Sequence, residues 1–448
     1  MALRHRLILI LLGITVGFTG KYIKGFNKTS GMDFMPPVPE VASMRIPDSF
    51  SNNETFASFD QNVNRFLKKW QIAGASIAIA KDGNVVFAKG YGYSDKEDGI
   101  DVKPHNLFRT ASISKLITAT GIMKLMEEGK LDLNDKVFGN EGILSEFPYD
   151  NYIDKRVENI EVLHLLNHSG GWTTRWGDPA FMPGVVAKSK NVDLPVSEDD
   201  IITFALSKRL HFQPGSASSY SNLGYLILGK IIEKASGQDY ETYIKENILY
   251  PLGIFDMKLG GSFLDERYPN EVKYYGHADS SFVDDFMGNG EKVPPYYGGN
   301  DIKTLGAAGG WIASATDLLK LMLAIDGNDK PADILSEESI NLMANHEMLE
   351  FQPLGWRGID EEGRYRTGTL SGTSTLMVCR DDGFSYVVLL NSSTWRGSSI
   401  SNEVRNMMTR SILNIDEWPQ YDLFELVSSV ENISLEREVV IELKYENN

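Results

Sequence analysis

Apolar residues at Phe59, Val63, Phe66, Leu67 and Trp70 follow the i, i+4, i+7, i+8, i+11 spacing of an amphipathic helix. The period then changes. Residues 75–80 and 85–88 are short apolar runs on either side of Lys81-Asp82-Gly83-Asn84, a pattern that predicts a β-hairpin. From Ser112 a longer run carries Leu116, Ile117, Ile122, Met123, Leu125 and Met126 around most of a helix and stops before Gly129. A helix apolar almost all round is a buried one. The middle of the chain reads as helical and loop-rich. One short helix ends at Asn167-His168-Ser169-Gly170-Gly171, and a second apolar helix over 220–237 carries Tyr225, Leu226, Leu228, Ile231 and Ile232. Residues 279–309 form an aromatic, Pro- and Gly-rich loop region. A helix capped by Ser314, with Asp317 at its third position, follows. Strands return over 374–380 and 384–390 around Asp381-Asp382-Gly383, and Val404, Met407, Met408 and Ile412 predict a last helix.

Hairpins at both ends with helices between them predict an α+β fold. In it one antiparallel sheet draws strands from both ends, flanked by helices, with a mostly helical second subdomain. The domain spans 56–415. Residues 21–55, polar and carrying Pro36, Pro37 and Pro39, read as a linker. Residues 416–448 read as a C-terminal appendage, with Val439 to Leu443 a candidate strand. At the other end, Arg4 and Arg6 precede an apolar stretch over 7–18, so residues 1–20 read as a signal peptide or signal anchor. The stretch is short for a spanning helix of about 20 residues, and both cleavage and retention as a membrane anchor stay open. No cysteine follows it, which removes a lipid-anchored lipoprotein. The expectation is an exported protein, periplasmic or anchored on the outer side of the cytoplasmic membrane.

Composition narrows the partners. The net charge of −17 argues against nucleic acid or an anionic membrane surface. The single cysteine, Cys379, allows no intrachain disulfide, and its apolar neighbours make it a buried small hydrophobe. Export without disulfides fits a bacterial envelope.

Lys115 is the anomaly in this pattern. It stands in the first turn of a helix otherwise built for a core, where a cation opposes the helix dipole. Ser112, three residues earlier, shares its face. A buried ammonium tends to lose its proton, and a neutral lysine beside a hydroxyl is a general base beside a nucleophile. Ser112-Ile113-Ser114-Lys115 is therefore a Ser-x-x-Lys pattern. The plainer alternative makes Ser112 a helix cap and Lys115 a snorkelling surface cation. A second proton-handling group is available in Tyr220, at the mouth of a helix after small residues, with Asn222 two positions on to orient Lys115 or a substrate carbonyl. His164 and His168 have the spacing of a zinc-binding pair, but Leu165 stands where such a site needs glutamate, so packing or loop hydrogen bonds are expected of them, and no metal and no cofactor.

Taken together, these motifs resemble the β-lactamase-related serine hydrolases. That group includes class C β-lactamases, penicillin-binding D,D-peptidases, esterases and D-aminopeptidases. The resemblance runs from about Phe59 to Ile412. It rests on Ser112-Ile113-Ser114-Lys115, the stretch from Gly129 to Val137, Leu165-Leu166-Asn167-His168-Ser169-Gly170, Pro214-Gly215, Tyr220-Ser221-Asn222 and Ala308-Gly309-Gly310-Trp311. It implies a β-lactamase/transpeptidase-like fold with Ser112 as nucleophile, Lys115 as proton acceptor and Tyr220 as partner base and acid. Asn222 would then orient substrate and lysine. The third family motif matches Arg366-Thr367-Gly368, with Thr369 supplying one oxyanion N–H and Ser112 the other.

Arg366 departs from the lysine or histidine of that motif. Arginine stays protonated, so it cannot shuttle a proton; it can grip a substrate carboxylate or shape the field. The resemblance thus implies cleavage of an ester or amide in a small-molecule or peptide substrate through an acyl-enzyme. β-Lactamase or D,D-peptidase action is the alternative within the family, and a non-catalytic envelope binding protein the alternative outside it. Trp172, Trp176, Tyr296 and Tyr297 are expected as pocket walls.

Overall fold

The structure, a computed structural model, describes residues 43–344 and 351–429. The expected signal segment, residues 21–42 of the expected linker and the candidate strand from Val439 to Leu443 lie outside the described residues.

The helix expected around Phe59 is α1 (Ala57–Trp70), and the first hairpin is β1 (Gly74–Lys81) with β2 (Asn84–Asp95). Lys81 pairs with Asn84, leaving a two-residue turn in which Asp82 and Gly83 both have positive φ. That geometry matches the twist of the strands and suits an Asp-Gly pair. A short β3 (Ile100–Asp101) extends this edge. Late in the chain come β4 (Gly358–Asp360), β5 (Gly363–Leu370), β6 (Thr373–Arg380) and β7 (Phe384–Leu390). The seven strands form one antiparallel sheet in the order β3-β2-β1-β7-β6-β5-β4. Ala75 of β1 pairs with Leu390 of β7, so the two ends of the chain close the sheet at its centre.

Alternation along β1 divides its side chains between two cores. Ile77 and Ile79 join Phe59, Val63 and Phe66 of α1 and Val404, Met408 and Ile412 of the last helix, α6 (Ile400–Leu413), on one face. Ala78 and Ala80 face a larger core built from α2 (Ser114–Glu127), α3 (Asn222–Ser236), α4 (Ile302–Gly309) and α5 (Ala315–Leu323). Leu116, Ile117, Ile122, Met123 and Leu125 of α2 are all fully buried, as the all-round apolar pattern requires. The mostly helical part between β3 and β4 adds shorter helices over Val162–Leu166, Pro183–Lys190 and Glu198–Leu206.

Two boundaries differ from the sequence reading. Residues 43–55, expected as the end of a linker, are docked: Ile46 is buried, and Asp48 and Ser51 accept backbone N–H groups of β2 at Gly90 and Ala88. These bonds cover a strand edge that polar composition alone cannot reveal. The beginning of the expected appendage is docked as well. Trp418 packs against Phe56 and Phe384, and Leu423 and Val427 are buried in the larger core.

Candidate functional site

Ser112 does not stand in the helix proper. A 3₁₀ turn over Ala111–Ile113 leads into α2, and Ala111 has φ of 49°, an uncommon conformation for a residue with a side chain. Thr110 holds the turn from both sides. Its N–H and hydroxyl donate to the Trp311 carbonyl, and its own carbonyl accepts the Thr375 hydroxyl of β6. Gly368 of β5 runs so close beneath that a Cβ there would lie 2.3 Å from the Thr110 oxygen and 3.0 Å from the Ser112 nitrogen. The glycine of the Arg-Thr-Gly stretch is thus the residue that lets the strand reach the serine.

Lys115, one position into α2, is fully buried. Its Nζ donates to Asn222 Oδ1 and to the Ala308 carbonyl, both at 2.6 Å, and lies 5.0 Å from the centre of the Tyr220 ring. Burial pulls its pKa below the ordinary lysine value against the opposing pull of Tyr220. Tyr220 donates from its hydroxyl to Ser112 Oγ at 2.8 Å. Burial by itself would push the phenol up; the positive charges of Lys115 and Arg366 outweigh it and bring the pKa to about 7. Ser112, Tyr220, Lys115 and Asn222 therefore converge, with the phenol rather than the amine bonded to the serine hydroxyl.

Arg366 is placed otherwise than a carboxylate grip requires. It is fully buried, and its donors face the protein: Nε bonds the Ser112 carbonyl at 2.7 Å, one terminal nitrogen the Trp356 carbonyl, the other Tyr220 Oη at 3.1 Å. Of the two sequence readings, the geometry supports the one in which it shapes the field. Thr367 and Thr369 line the cavity of about 250 Å³ above Ser112, on the part of β5 that β4 leaves unpaired.

Two participants escaped the sequence reading. Asp178 accepts Asn222 Nδ2 at 2.7 Å on one oxygen and the Ala180 N–H on the other, so it fixes which way the Asn222 amide points. Asp178-Pro179 at the start of a tight turn was its only local signal. Arg357, exposed, lines the cavity with its guanidinium 5.3 Å from the Tyr220 ring centre; its one side-chain bond among the described residues goes to Gln352. His168 is buried in a left-handed conformation, φ 62°, and its ring packs against Tyr220 and Tyr225. Burial, together with Arg366 and Lys115, holds its pKa well below the ordinary histidine value, so it is neutral, and its Nδ1 accepts the Ser221 N–H. It positions the residue next to Tyr220. His164 accepts the Glu161 N–H, so the two histidines bind loops. No group of side chains suited to a metal ion occurs among the described residues.

The expected aromatic walls lie elsewhere. Tyr297 Oη accepts the Tyr274 N–H, and the Tyr296 carbonyl accepts Arg109, whose guanidinium stacks on Tyr274. They hold the buried Arg109 in place. Trp172 and Trp176 line a second cavity behind the loop that carries Asp178. Cys379 is buried, with its thiol pKa raised by burial.

The Beta-lactamase family model matches residues 59–405. Penicillin-binding protein 4* of Bacillus subtilis (strain 168) is 32% identical over 212 residues, which is 47% of this chain and 42% of that protein. Protein flp of Staphylococcus aureus (strain COL) is 32% identical over 45% of this chain and 37% of its own. The matched stretch thus spans about two fifths of these curated relatives. The octameric penicillin-binding protein homologue from Pyrococcus abyssi aligns with a TM-score of 0.57 at 28% identity, over 79% of this chain and 76% of that one. D-amino acid amidase from Ochrobactrum anthropi SV3, at 21% identity, shares the fold, with a TM-score of 0.61 over 82% of this chain and 99% of the amidase.

Ultraviolet difference titration of the folded protein is expected to resolve one tyrosine ionising at about pH 7. The step should vanish in Tyr220→Phe and move to higher pH in Lys115→Met, which removes a positive charge from beside the ring. An unmoved step would mean that Lys115 does not set it.

Proposed function

Because the chain belongs to the Beta-lactamase family, we propose that it is a serine hydrolase that opens an ester or amide bond through an acyl-enzyme on Ser112. The observation that carries this reading is the 2.8 Å bond between Tyr220 Oη and Ser112 Oγ beside the buried Lys115. Above about pH 7 the phenol is ionised and can accept a proton. Tyr220 takes the Ser112 proton as Oγ attacks the substrate carbonyl carbon, and the carbonyl oxygen becomes an oxyanion on the backbone N–H groups of Ser112 and Thr369. Tyr220 then returns the proton to the leaving oxygen or nitrogen as the carbon bond breaks. Water attacks the acyl-serine by the same route in reverse, giving up its proton to Tyr220, which hands it to Ser112. Lys115 and Arg366 lie beside Tyr220 throughout and stabilise it whenever it is a phenolate. No step calls on a metal or cofactor.

An esterase or peptidase fits Arg366 better than a dedicated β-lactamase does, since Arg366 replaces the lysine of that group's third motif. Arg357 takes the role first sought in Arg366: a cation at the cavity wall, without an acidic partner among the described residues, that pairs with a substrate carboxylate. The site of action we propose is outside the cytoplasmic membrane, on the strength of the basic start and apolar residues 7–18. Among the described residues no helix is long and apolar enough to cross a membrane.

Mass spectrometry after a fluorophosphonate probe should find one adduct, on Ser112, and p-nitrophenyl esters should turn over faster than nitrocefin. kcat/KM should rise with pH through about 7 as Tyr220 deprotonates. Ser112→Ala should lose about 10³-fold or more of the activity while keeping its melting temperature. A folded protein without adduct would favour a non-catalytic binding role. Arg357→Ala should raise KM for carboxylate-bearing esters about tenfold, about 1.4 kcal/mol, and leave uncharged esters unaffected; an equal change for both would remove the carboxylate pairing. Protease treatment of spheroplasts, whose outer layers are removed, is expected to digest the protein, and protection would place it in the cytoplasm.

A further inference from the structure

The loop over 172–182 is a wall with two faces. Phe181 lines the cavity above Ser112. Asp178, Pro179 and Met182 line a second cavity of about 370 Å³ behind it. That volume lies within the range of about 300–1,000 Å³ usual for small-molecule sites. Its walls are apolar, from Trp172, Met182, Val185, Phe204 and Leu223, with Trp176 at 73% exposure on the outer loop. Large exposed aromatic surface beside a preformed apolar cavity is unusual on a protein without a ligand for it.

Two further observations give the cavity a polar character at defined points. The Trp172 side chain is 9% exposed, and its Nε1 is buried with no hydrogen-bond partner. Lys208 and Arg209 also line the cavity and are exposed, and Arg175 lies with its guanidinium 5.3 Å from the Trp176 ring centre. None of the three has an acidic partner among the described residues. Asp178, the carboxylate on the cavity wall, is already engaged by Asn222 and Ala180. In a chain of net charge −17 this cluster is a local reversal of sign.

We propose that this second cavity binds an anionic amphiphile, an alkyl or aryl carboxylate. Its apolar body fills the space between Trp172 and Leu223, and its head meets Lys208 and Arg209. Occupancy bears on the catalytic cluster through the shared wall, because Asp178 orients Asn222 and Asn222 holds Lys115. The binding itself is independent of the hydrolase reading; only its effect on turnover rests on that reading.

Decanoate is the probe, followed by tryptophan fluorescence and calorimetry on the full chain, with Ser112 first blocked by a fluorophosphonate. Decanoate should still bind the blocked protein and shift the tryptophan emission; loss of binding on blocking would put the ligand in the Ser112 cavity and overturn the proposal. Val185→Trp, at a half-exposed position, fills the cavity and should abolish binding, whereas unchanged affinity would overturn it. The exposed double variant Lys208→Glu/Arg209→Glu keeps the test open if the first variant folds poorly. It should weaken decanoate at least tenfold and leave decanol within twofold. Equal loss for both would overturn the assignment of the anionic head. In unblocked protein, decanoate should change kcat for a short ester by at least twofold in the wild type and not in Val185→Trp. An unchanged wild-type kcat would overturn the coupling through Asp178, while the binding arm stands or falls on the blocked protein alone.

Discussion

A positive charge with no access to water is the constraint around which this protein is arranged. Lys115 is wholly buried, and an ammonium in such a place is tolerated only when its donors are matched and a counter-charge is near. Its two acceptors come from two further elements: Asn222 opens α3, and Ala308 lies near the end of α4. Three buried helices therefore meet at one nitrogen. The remaining need, for negative charge, is met by a tyrosine whose phenol ionises at about pH 7. The cost of burying the lysine and the reactivity of the tyrosine are one interaction seen from its two ends.

The surroundings keep that interaction fixed. His168 is neutral, so it adds no competing charge, and it holds the Ser221 N–H while its ring lies against Tyr220. Arg366 joins the parts by bonding both the Ser112 carbonyl and the Tyr220 hydroxyl. Gly368 allows the sheet to approach the 3₁₀ turn closely enough for this, and the positive φ of Ala111 marks the strain in that turn. Preorganisation of this kind leaves little to rearrange when charge develops on a bound carbonyl.

What could be read from the sequence was whatever depends on local period or on motif. The hairpin around Asp82-Gly83, the unbroken apolar surface of α2 and the Ser314 cap are local, and each was legible. Ser112, Lys115, Tyr220 and Asn222 were legible because a buried cation is conspicuous on an apolar helix and because the order of the motifs resembles a family. Contacts between distant segments left no such trace. Asp178 meets Asn222 across 44 positions, and nothing in Gly177-Asp178-Pro179 distinguishes that carboxylate from any turn residue. Residues 43–55 are polar enough to pass for a linker, and only the strand edge they cover explains their order; residues 416–429 pass for a tail because Trp418, Leu423 and Val427 pack on segments distant in sequence. The aromatic walls were misassigned for the same reason: Tyr296 and Tyr297 are near the motifs in sequence but serve Arg109.

Arg366 shows how one substitution redistributes roles within a site. A lysine or histidine at that position can exchange a proton; a guanidinium cannot, and here it is enclosed by acceptors that leave no room for a ligand. In the proposed mechanism proton transfer therefore falls to Tyr220, and the third motif becomes a fixed source of positive field. The groups that still face the cavity include Arg357, Thr367 and Thr369, and Phe181 of the 172–182 loop. That loop carries both Asp178, which sets the Asn222 amide, and Phe181, which touches the space where substrate must lie. The loop thus borders the Ser112 cavity and, through Asn222, the Lys115 environment. In this chain Lys115 and its two acceptors are locked into buried helices, while the 172–182 loop stands between the two cavities.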